Sequence, residues 1–102
     1  MVDQPYTSLG CWKDKANRAI DGGYVRVTDS NPVRACFLRA VSSGSTVFAV
    51  QDGNACFAAS PTAGDTYKKH GTTKTCANGR GGPWANSVYQ IGIEHFHSIY
   101  YY

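Results

Sequence analysis

Four cysteines spread through a chain of 102 residues restrict its fold more than any other feature. Cys11, Cys36, Cys56 and Cys76 are even in number, widely spaced, and form none of the C-x-x-C pairs of zinc sites. In a small domain this pattern predicts two disulfides and hence a secreted or extracellular protein. Four buried free thiols in a cytosolic protein are the alternative.

The segment that starts at Pro32 predicts the one clear helix of the chain. Ser30 or Asn31 can cap its N-terminus, proline suits the first helical position, and Gly44 follows its end. Apolar residues repeat at helical spacing and form one face, which comprises Val33, Cys36, Phe37, Ala40 and Val41. This face, including its cysteine, is expected to point at the core.

Short runs of β-forming residues flank the helix. TVFAVQ at 46–51 ends at Asp52-Gly53, a dipeptide typical of hairpin turns, and CFA at 56–58 would return as the partner strand. YVRV at 24–27 alternates after a glycine turn and predicts another short strand. The sequence therefore predicts a helix that packs on a small antiparallel sheet.

The predicted elements favour one disulfide pairing. A helix packed on the hairpin would bring Cys36 close to Cys56, which leaves Cys11 and Cys76 for a second bridge. Four cysteines allow three pairings, and this choice rests on geometry alone. The second bridge would tie the N-terminal segment to the late loop.

The remainder of the chain is rich in loops. Residues 60–84 are rich in Gly, Thr, Ser and Pro, with a single helical turn predicted at 65–70. The β-rich tail at 88–102 predicts a strand that bends or bulges near Gly92. We expect a single α+β domain over 1–102, small, disulfide-bridged and with long loops.

Composition and motifs exclude several functions. The net charge of +3 is mild and the basic residues are scattered, with Lys68-Lys69 the only adjacent pair, so nucleic-acid binding is not predicted. No apolar stretch approaches the roughly 20 residues that span a bilayer, and the N-terminus has no signal-like region. No catalytic, phosphate-binding or dinucleotide-binding motif occurs, so we predict no enzyme.

A candidate ligand site lies in RGGPWANSVY, residues 80–89. Trp84 with Asn86 and Arg80 offers an aromatic face for the C–H patch of a sugar and planar groups for its hydroxyls. Asp52 and Asn54, at the hairpin turn, offer a neighbouring set of polar groups. The alternatives are a Trp84 side chain that plugs the core and an aspartate that only forms the turn.

A third set of candidate sugar-binding residues and a candidate metal site have less support in the sequence. Trp12, Asp14 and Arg18 could contact a sugar, or could be a core indole beside a structural ion pair. His95 and His97 lie on one face of the predicted tail strand, but two ligands do not make a tight metal site. No cofactor is predicted, and calcium stays open through aspartates and loop carbonyls, namely Asp21, Asp29, Asp52 or Asp65.

The C-terminal sequence HFHSIYYY suggests a second kind of function. Its aromatic, β-prone residues would form an edge strand if they were exposed, and such a strand pairs with another chain. The tail then predicts a homodimer, or a structural or defence-related module that acts through protein contacts. If it were buried, it would only close the sheet.

Two phrases carry a resemblance to a known family. LGCWKDKANRAI at 9–20 and VFAVQDGNAC at 47–56 resemble the start and middle of WSC domains, small extracellular modules associated with carbohydrate binding. The chain is also similar to a cysteine-containing module of secreted marine-invertebrate proteins, through FAVQDG, TYKKHG and GGPWANSVY. This likeness covers about residues 9–90 and leaves the tail at 91–102 outside it.

The resemblance implies a secreted module that binds sugar, although the chain carries fewer cysteines than WSC domains usually do. Together with the residues above, it favours a non-enzymatic lectin whose partners are glycans, without nucleic-acid binding or membrane insertion. Its ligand-binding residues are expected to be Arg80, Trp84, Asn86, Asp52 and Asn54.

Overall fold

A computed structural model describes residues 5–92, which form one helix packed on an antiparallel sheet. The helix, α1, spans Pro32–Ser42, and a single 3-10 turn spans Thr66–Lys68. The strands in chain order are β1 Tyr6–Lys13, β2 Val25–Arg26, β3 Val47–Gln51, β4 Ala55–Ala58, β5 Cys76–Ala77, β6 Arg80–Gly81 and β7 Ala85–Ile91. The predicted α+β class is confirmed.

Five strands form the main sheet in the order β1-β7-β3-β4-β2, and each neighbouring pair is antiparallel. The predicted hairpin is present as β3 and β4, with Val50 opposite Cys56. Strands β5 and β6 pair separately as a two-stranded ribbon. Strand β7, which lies between β1 and β3, is therefore an interior strand of the sheet although it comes last in the described chain.

Helix α1 begins and ends where the sequence predicts. The Asn31 side chain accepts a hydrogen bond from the backbone N–H of Arg34 (3.2 Å), so Asn31 is the N-cap. Gly44 adopts a positive φ of 74° just after the last turn, a conformation that glycine adopts without steric cost. The helix buries Cys36, Phe37 and Ala40 against the sheet, together with Phe48, Val50, Tyr89 and Ile91.

Both predicted disulfides are present, and they tie down different parts of the molecule. Cys36–Cys56 joins α1 to β4 under the helix, while Cys11–Cys76 joins β1 to β5 across 65 residues of sequence. No described cysteine is free. The two bridges fit a protein that matures in an oxidising compartment.

The opposite face of the sheet is covered as well, by loops rather than by a helix. Ile20 from the loop after β1, and Ala59 and Tyr67 from the chain after β4, pack on Phe57 and Val88. We call this layer of loops, residues 14–24 and 59–76, the loop layer. The sheet is thus buried on both sides, which the sequence did not predict.

Strand β1 was not predicted from the sequence. Its residues lack a clear alternation, and its register with β7 shifts between Ser8 and Gly10, where Gly10 has a φ of 105°. A bulge of this kind interrupts the period-two pattern by which strands are found in a sequence. The edge position of β1 leaves half of its residues exposed, which weakens the pattern further.

The C-terminal predictions can be followed only to residue 92. Strand β7 begins at Ala85, three residues before the predicted strand, and the N–H of Gly92 donates to the carbonyl of Pro5 (2.8 Å). The predicted histidine pair, His95 and His97, and the tyrosine-rich tail lie outside the described residues. Between residues 5 and 92, no helix is long and apolar enough to cross a membrane.

Candidate functional site

The hairpin turn between β3 and β4 binds the glycine-rich loop that precedes β7. Asp52 and Gly53 both adopt positive φ angles, and their N–H groups donate to the carbonyls of Gly82 (3.1 Å) and Gly81 (3.0 Å). A Cβ on Gly81 would lie 1.8 Å from the carbonyl oxygen of Ala85. Glycine is therefore required where the loop approaches the sheet so closely.

Trp84 follows this loop and projects from it. Its backbone has a positive φ of 58°, and its carbonyl accepts a hydrogen bond from the N–H of Asp14 (2.9 Å). The residue is 51% exposed, so its indole does not plug the core. The guanidinium carbon of Arg18 lies 4.9 Å from the centroid of the Trp84 ring. This distance is that of a cation–π contact.

Arg18 occupies the centre of an aromatic cluster. Its guanidinium carbon lies 5.4 Å from the ring centroid of Phe57 and 5.6 Å from that of Tyr24. One of its nitrogens, Nη1, also donates to Asp14 Oδ2 (2.8 Å), which confirms the ion pair that the sequence offered as an alternative. Three rings and one carboxylate thus hold the guanidinium in place.

Beneath Arg18 lies a buried polar network. Asp14 is 4% exposed and accepts hydrogen bonds from the N–H of Ala19 (2.9 Å) and from Nε2 of Gln51 (2.8 Å). Nε2 of Gln51 also donates to Oδ1 of Asn86 (2.9 Å). Burial raises the pKa of the Asp14 carboxyl, but these hydrogen bonds and the one from Arg18 outweigh it and leave the pKa below its usual value.

Arg26 on the edge strand β2 closes the other side of the site. Its Nη2 pairs with Asp52 Oδ2 (2.8 Å), and its Nη1 donates to Asn54 Oδ1 (2.7 Å). The hydrogen bond with Asp52 raises the pKa of Arg26, which therefore stays charged. Its guanidinium carbon lies 5.8 Å from the ring centroid of Tyr24, whose ring stands between the two arginines.

An open cleft of about 180 Å³ lies among these groups. Its apolar walls are the rings of Tyr24, Phe57 and Trp84, and its charged groups are Arg18, Arg26 and Asp52. Tyr24 is 47% exposed and Trp84 is 51% exposed, so ring surface of both side chains faces solvent. The cleft offers aromatic faces and planar hydrogen-bonding groups side by side.

The structure distributes the five predicted ligand residues differently. Trp84 and Asp52 line the cleft, and Asn54 holds Arg26 at its edge. Asn86 belongs to the interior strand β7 and is completely buried, so its amide contacts Gln51 rather than the cleft. Arg80 lies in the ribbon strand β6 and is not among the residues that line the cleft.

Tyr24 and Arg26 are the cleft residues that the sequence analysis missed. The alternation at 24–27 predicted a strand, of which the structure has only Val25–Arg26, with Tyr24 directly before it, and nothing local indicated which strand would be its neighbour. Arg26 lies opposite Ala55 because β2 pairs with β4, and only this pairing brings it to the hairpin turn. A strand of two residues carries too little pattern to predict such a long-range contact.

The described residues were also searched for a metal centre. Over residues 5–92, no group of three or more His, Cys, Asp or Glu side chains lies close enough together to hold a metal ion. Asp52, one of the four aspartates considered for calcium, is instead paired with Arg26. A carboxylate engaged in this way is a poorer ligand for a cation than a free one.

Comparison with known proteins gives one relative. No family model matches the chain. Xylosyltransferase oxt of Drosophila pseudoobscura pseudoobscura is 32% identical over 96 residues, which is 87% of this chain and 11% of that protein. The chain thus spans about a tenth of the length of the curated relative that it matches, and the similarity concerns one segment of that enzyme.

Proposed function

We propose that this chain is a secreted, non-enzymatic carbohydrate-binding module whose ligand occupies the cleft beside Trp84. The observation that carries the proposal is the exposed indole of Trp84 next to the fixed guanidinium of Arg18, with Tyr24 and Arg26 across the cleft. Aromatic faces stack on the C–H patches of a sugar ring, and guanidinium and carboxylate groups bind its hydroxyls.

The size of the cleft suits a small part of a glycan. Its volume of about 180 Å³ is below the roughly 300 Å³ at which pockets for drug-sized ligands begin. One sugar ring would fill it, and the remainder of the glycan would extend into solvent. Shallow sites of this kind bind weakly, and lectins compensate with several linked sites.

The charges of the cleft are balanced, which favours an uncharged sugar. Arg18 is paired with Asp14, and Arg26 with Asp52, so each cation has its own carboxylate nearby. Each of these groups is thereby held in one orientation, and the guanidinium N–H groups not used in the pairs can donate to hydroxyls. Such a preorganised site loses little side-chain entropy when a ligand binds.

Two further observations support a binding role rather than catalysis. Asp14 has a lowered pKa and remains ionised at neutral pH, so it does not serve as a general acid, and Asp52 is tied to Arg26. The resemblance to WSC domains points the same way.

A glycan array with the oxidised protein tests the proposal. We expect binding to a defined set of neutral glycans, with and without a calcium chelator, and at least about tenfold weaker binding by Trp84→Ala, or about 1.4 kcal/mol. Leu38→Ala is the matched control, because Leu38 is a large apolar residue on α1 that is similarly exposed (45%). It should bind as the wild type does.

Two results would overturn the proposal. One is the absence of glycan binding by a correctly folded, oxidised sample; the other is unchanged binding by a folded Trp84→Ala variant. Binding lost only in the chelator would contradict the balanced, metal-free cleft. It would shift the site to a calcium ion at Asp52, whose carboxylate would have to leave Arg26.

A further inference from the structure

The folded chain gathers its lysines into one region. The protein has five, Lys13, Lys15, Lys68, Lys69 and Lys74, and the sequence separates them into two groups more than fifty residues apart. All five are exposed, and all lie at the end of β1 or in the loop layer. The arginines, by contrast, are distributed over the helix, the cleft and the ribbon.

Backbone hydrogen bonds and a disulfide hold the two lysine-bearing segments together. The N–H of Lys13 donates to the carbonyl of Gly71 (2.8 Å), and that of Thr73 donates to the carbonyl of Cys11 (3.1 Å). The Cys11–Cys76 bridge closes the same contact covalently. The two segments are therefore neighbours in the folded protein.

Side chains add a second connection. Nζ of Lys69 donates to Oδ1 of Asn17 (3.0 Å), and the Nε2–H of His70 donates to the carbonyl of Asn17 (2.6 Å). The loop that carries Lys15 is thus fixed against the chain that carries Lys68 and Lys69. We refer to the five lysines on these joined segments as the lysine surface.

The positive charge of this surface is largely uncompensated. Residues 11–17 and 65–76 contain two carboxylates; Asp14 is buried and paired with Arg18, and Asp65 lies 3.9 Å from Lys68. Within the described chain, Lys13, Lys15 and Lys74 form no ion pair. A fixed group of like charges raises the local concentration of a polyanion and speeds its association.

We infer that the lysine surface binds an anionic polysaccharide, such as a sulfated glycan chain. Nucleic acid fits less well, because single-stranded chains are bound on exposed aromatic platforms. Tyr67 is buried and Trp12 packs edge-on against it, so this surface offers no exposed ring. The two disulfides also place the folded protein where sulfated polysaccharides, rather than nucleic acids, are the abundant polyanions.

This inference does not depend on the proposed function, since the residues and the chemistry differ. The cleft pairs each cation with a carboxylate and offers ring faces, whereas the lysine surface has excess charge and no rings. Binding there should weaken steeply with salt because it releases counterions. Binding in the cleft should depend little on salt, since its cations are already neutralised.

A labelled heparin oligosaccharide is the probe, and fluorescence anisotropy at several salt concentrations is the measurement. The test variant Lys13→Gln/Lys74→Gln and the control Arg34→Gln/Arg39→Gln remove the same charge, and all four residues are exposed. We expect the lysine variant to bind at least about tenfold more weakly, with a salt slope smaller by about 1 to 2. The arginine variant should stay within about twofold of the wild type. Near-ultraviolet circular dichroism confirms that both variants fold.

Four results would overturn the inference. The wild type could fail to bind heparin at low salt, or the two variants could lose affinity equally, which would reflect net charge alone. Tighter binding of a single-stranded oligonucleotide of matched charge would assign the surface to nucleic acid. Trp84→Ala should leave heparin affinity unchanged; if it abolished that affinity, the anionic glycan would lie in the cleft. The glycan array therefore tests the cleft, and the heparin measurement tests the lysine surface. Either proposal can fail while the other holds.

Discussion

The two faces of the central sheet are built in different ways. On one face, α1 packs an apolar stripe on Phe48 and Val50, and the Cys36–Cys56 bridge lies within that contact. On the other face, the loop layer has only one 3-10 turn and depends on the longer bridge, Cys11–Cys76, and on the network around Asp14.

The candidate site belongs to the loop-covered face. Arg18 rests on Phe57, which is part of that face's apolar cluster, and Trp84 is anchored through its carbonyl to Asp14. Helix packing offers few positions from which polar groups can converge, whereas loops can bring distant residues to one point. The helix face supplies stability, and the loop face supplies the geometry of the cleft and of the lysine surface.

Removal of each disulfide should produce the largest loss of stability. It should also show whether the two faces of the sheet unfold separately. By chain entropy, the bridges at separations of 65 and 20 residues should each contribute roughly 3 to 5 kcal/mol to the free energy of unfolding. Cys11→Ser/Cys76→Ser should also loosen the loop layer locally. Hydrogen exchange should then show early loss of protection at the amides of Lys13 and Thr73.

Cys36→Ala/Cys56→Ala is the matched comparison for that experiment. It should lower global stability in urea unfolding while the amides of the loop layer exchange no faster than those of the sheet. Equal exchange patterns in the two variants would show that the faces unfold as a single unit. The helix-covered and loop-covered faces would then not differ in local stability.

A smaller loss of stability is expected when the buried carboxylate of Asp14 is replaced. Asp14→Asn weakens the contacts to Arg18 and Gln51 and should lower the free energy of unfolding by about 2 to 3 kcal/mol at neutral pH. Because the folded pKa of Asp14 is lowered, its stabilisation is complete above the unfolded value of about 4 and is lost as pH falls through the folded value. The wild type should therefore lose stability below about pH 4 more steeply than Asp14→Asn.

Asp65→Asn provides the control, since Asp65 is exposed and lies 3.9 Å from Lys68. A pair of this kind contributes little, so its stability should change by less than about 0.5 kcal/mol. Thermal unfolding of the three proteins between acid and neutral pH is the measurement. Parallel pH profiles for wild type and Asp14→Asn would contradict the role of the network in the loop-covered face.

The smallest change in stability is expected at Trp84. Two variants there separate the contribution of the half-exposed indole from that of the backbone conformation. Trp84→Ala should cost less than about 1 kcal/mol, because half of the side chain is already in solvent. Trp84→Gly should be more stable than Trp84→Ala by about 1 kcal/mol, since the φ of 58° strains any residue with a Cβ. Urea unfolding of the pair measures the difference. A less stable glycine variant would argue against this backbone conformation.

Sequence analysis succeeded where the determining interactions are local. Asn31 and Pro32 begin α1, its apolar stripe meets the sheet, and Asp52-Gly53 turns the hairpin, all within a few residues of one another. With these elements placed, the pairing of the four cysteines followed from geometry. The lining of the candidate cleft was predicted only in part, because Trp84 and Asp52 carry recognisable chemistry, whereas Tyr24 and Arg26 lie just before and within a strand of two residues.

Asn86 illustrates the limit most directly. In the sequence it follows a glycine-rich loop and looks available to a ligand, yet it lies in β7 between two strands and is fully buried. Gln51 on the neighbouring strand donates to its Oδ1, whereas its buried Nδ2 has no hydrogen-bond partner among the described residues. Gln51 is 35 residues away in the sequence, and no local pattern predicts this contact.

The sequence by itself determined the helix, the hairpin and the α+β class, because capping, turn chemistry and apolar periodicity act over a few residues. Only the tertiary structure decided that β7 lies inside the sheet between β1 and β3, that Arg18 stands among three rings, and that the two segments which carry the five lysines are joined. Those arrangements arise from strand order and from contacts between segments distant in the chain, where the information resides in pairs of residues rather than in any one stretch.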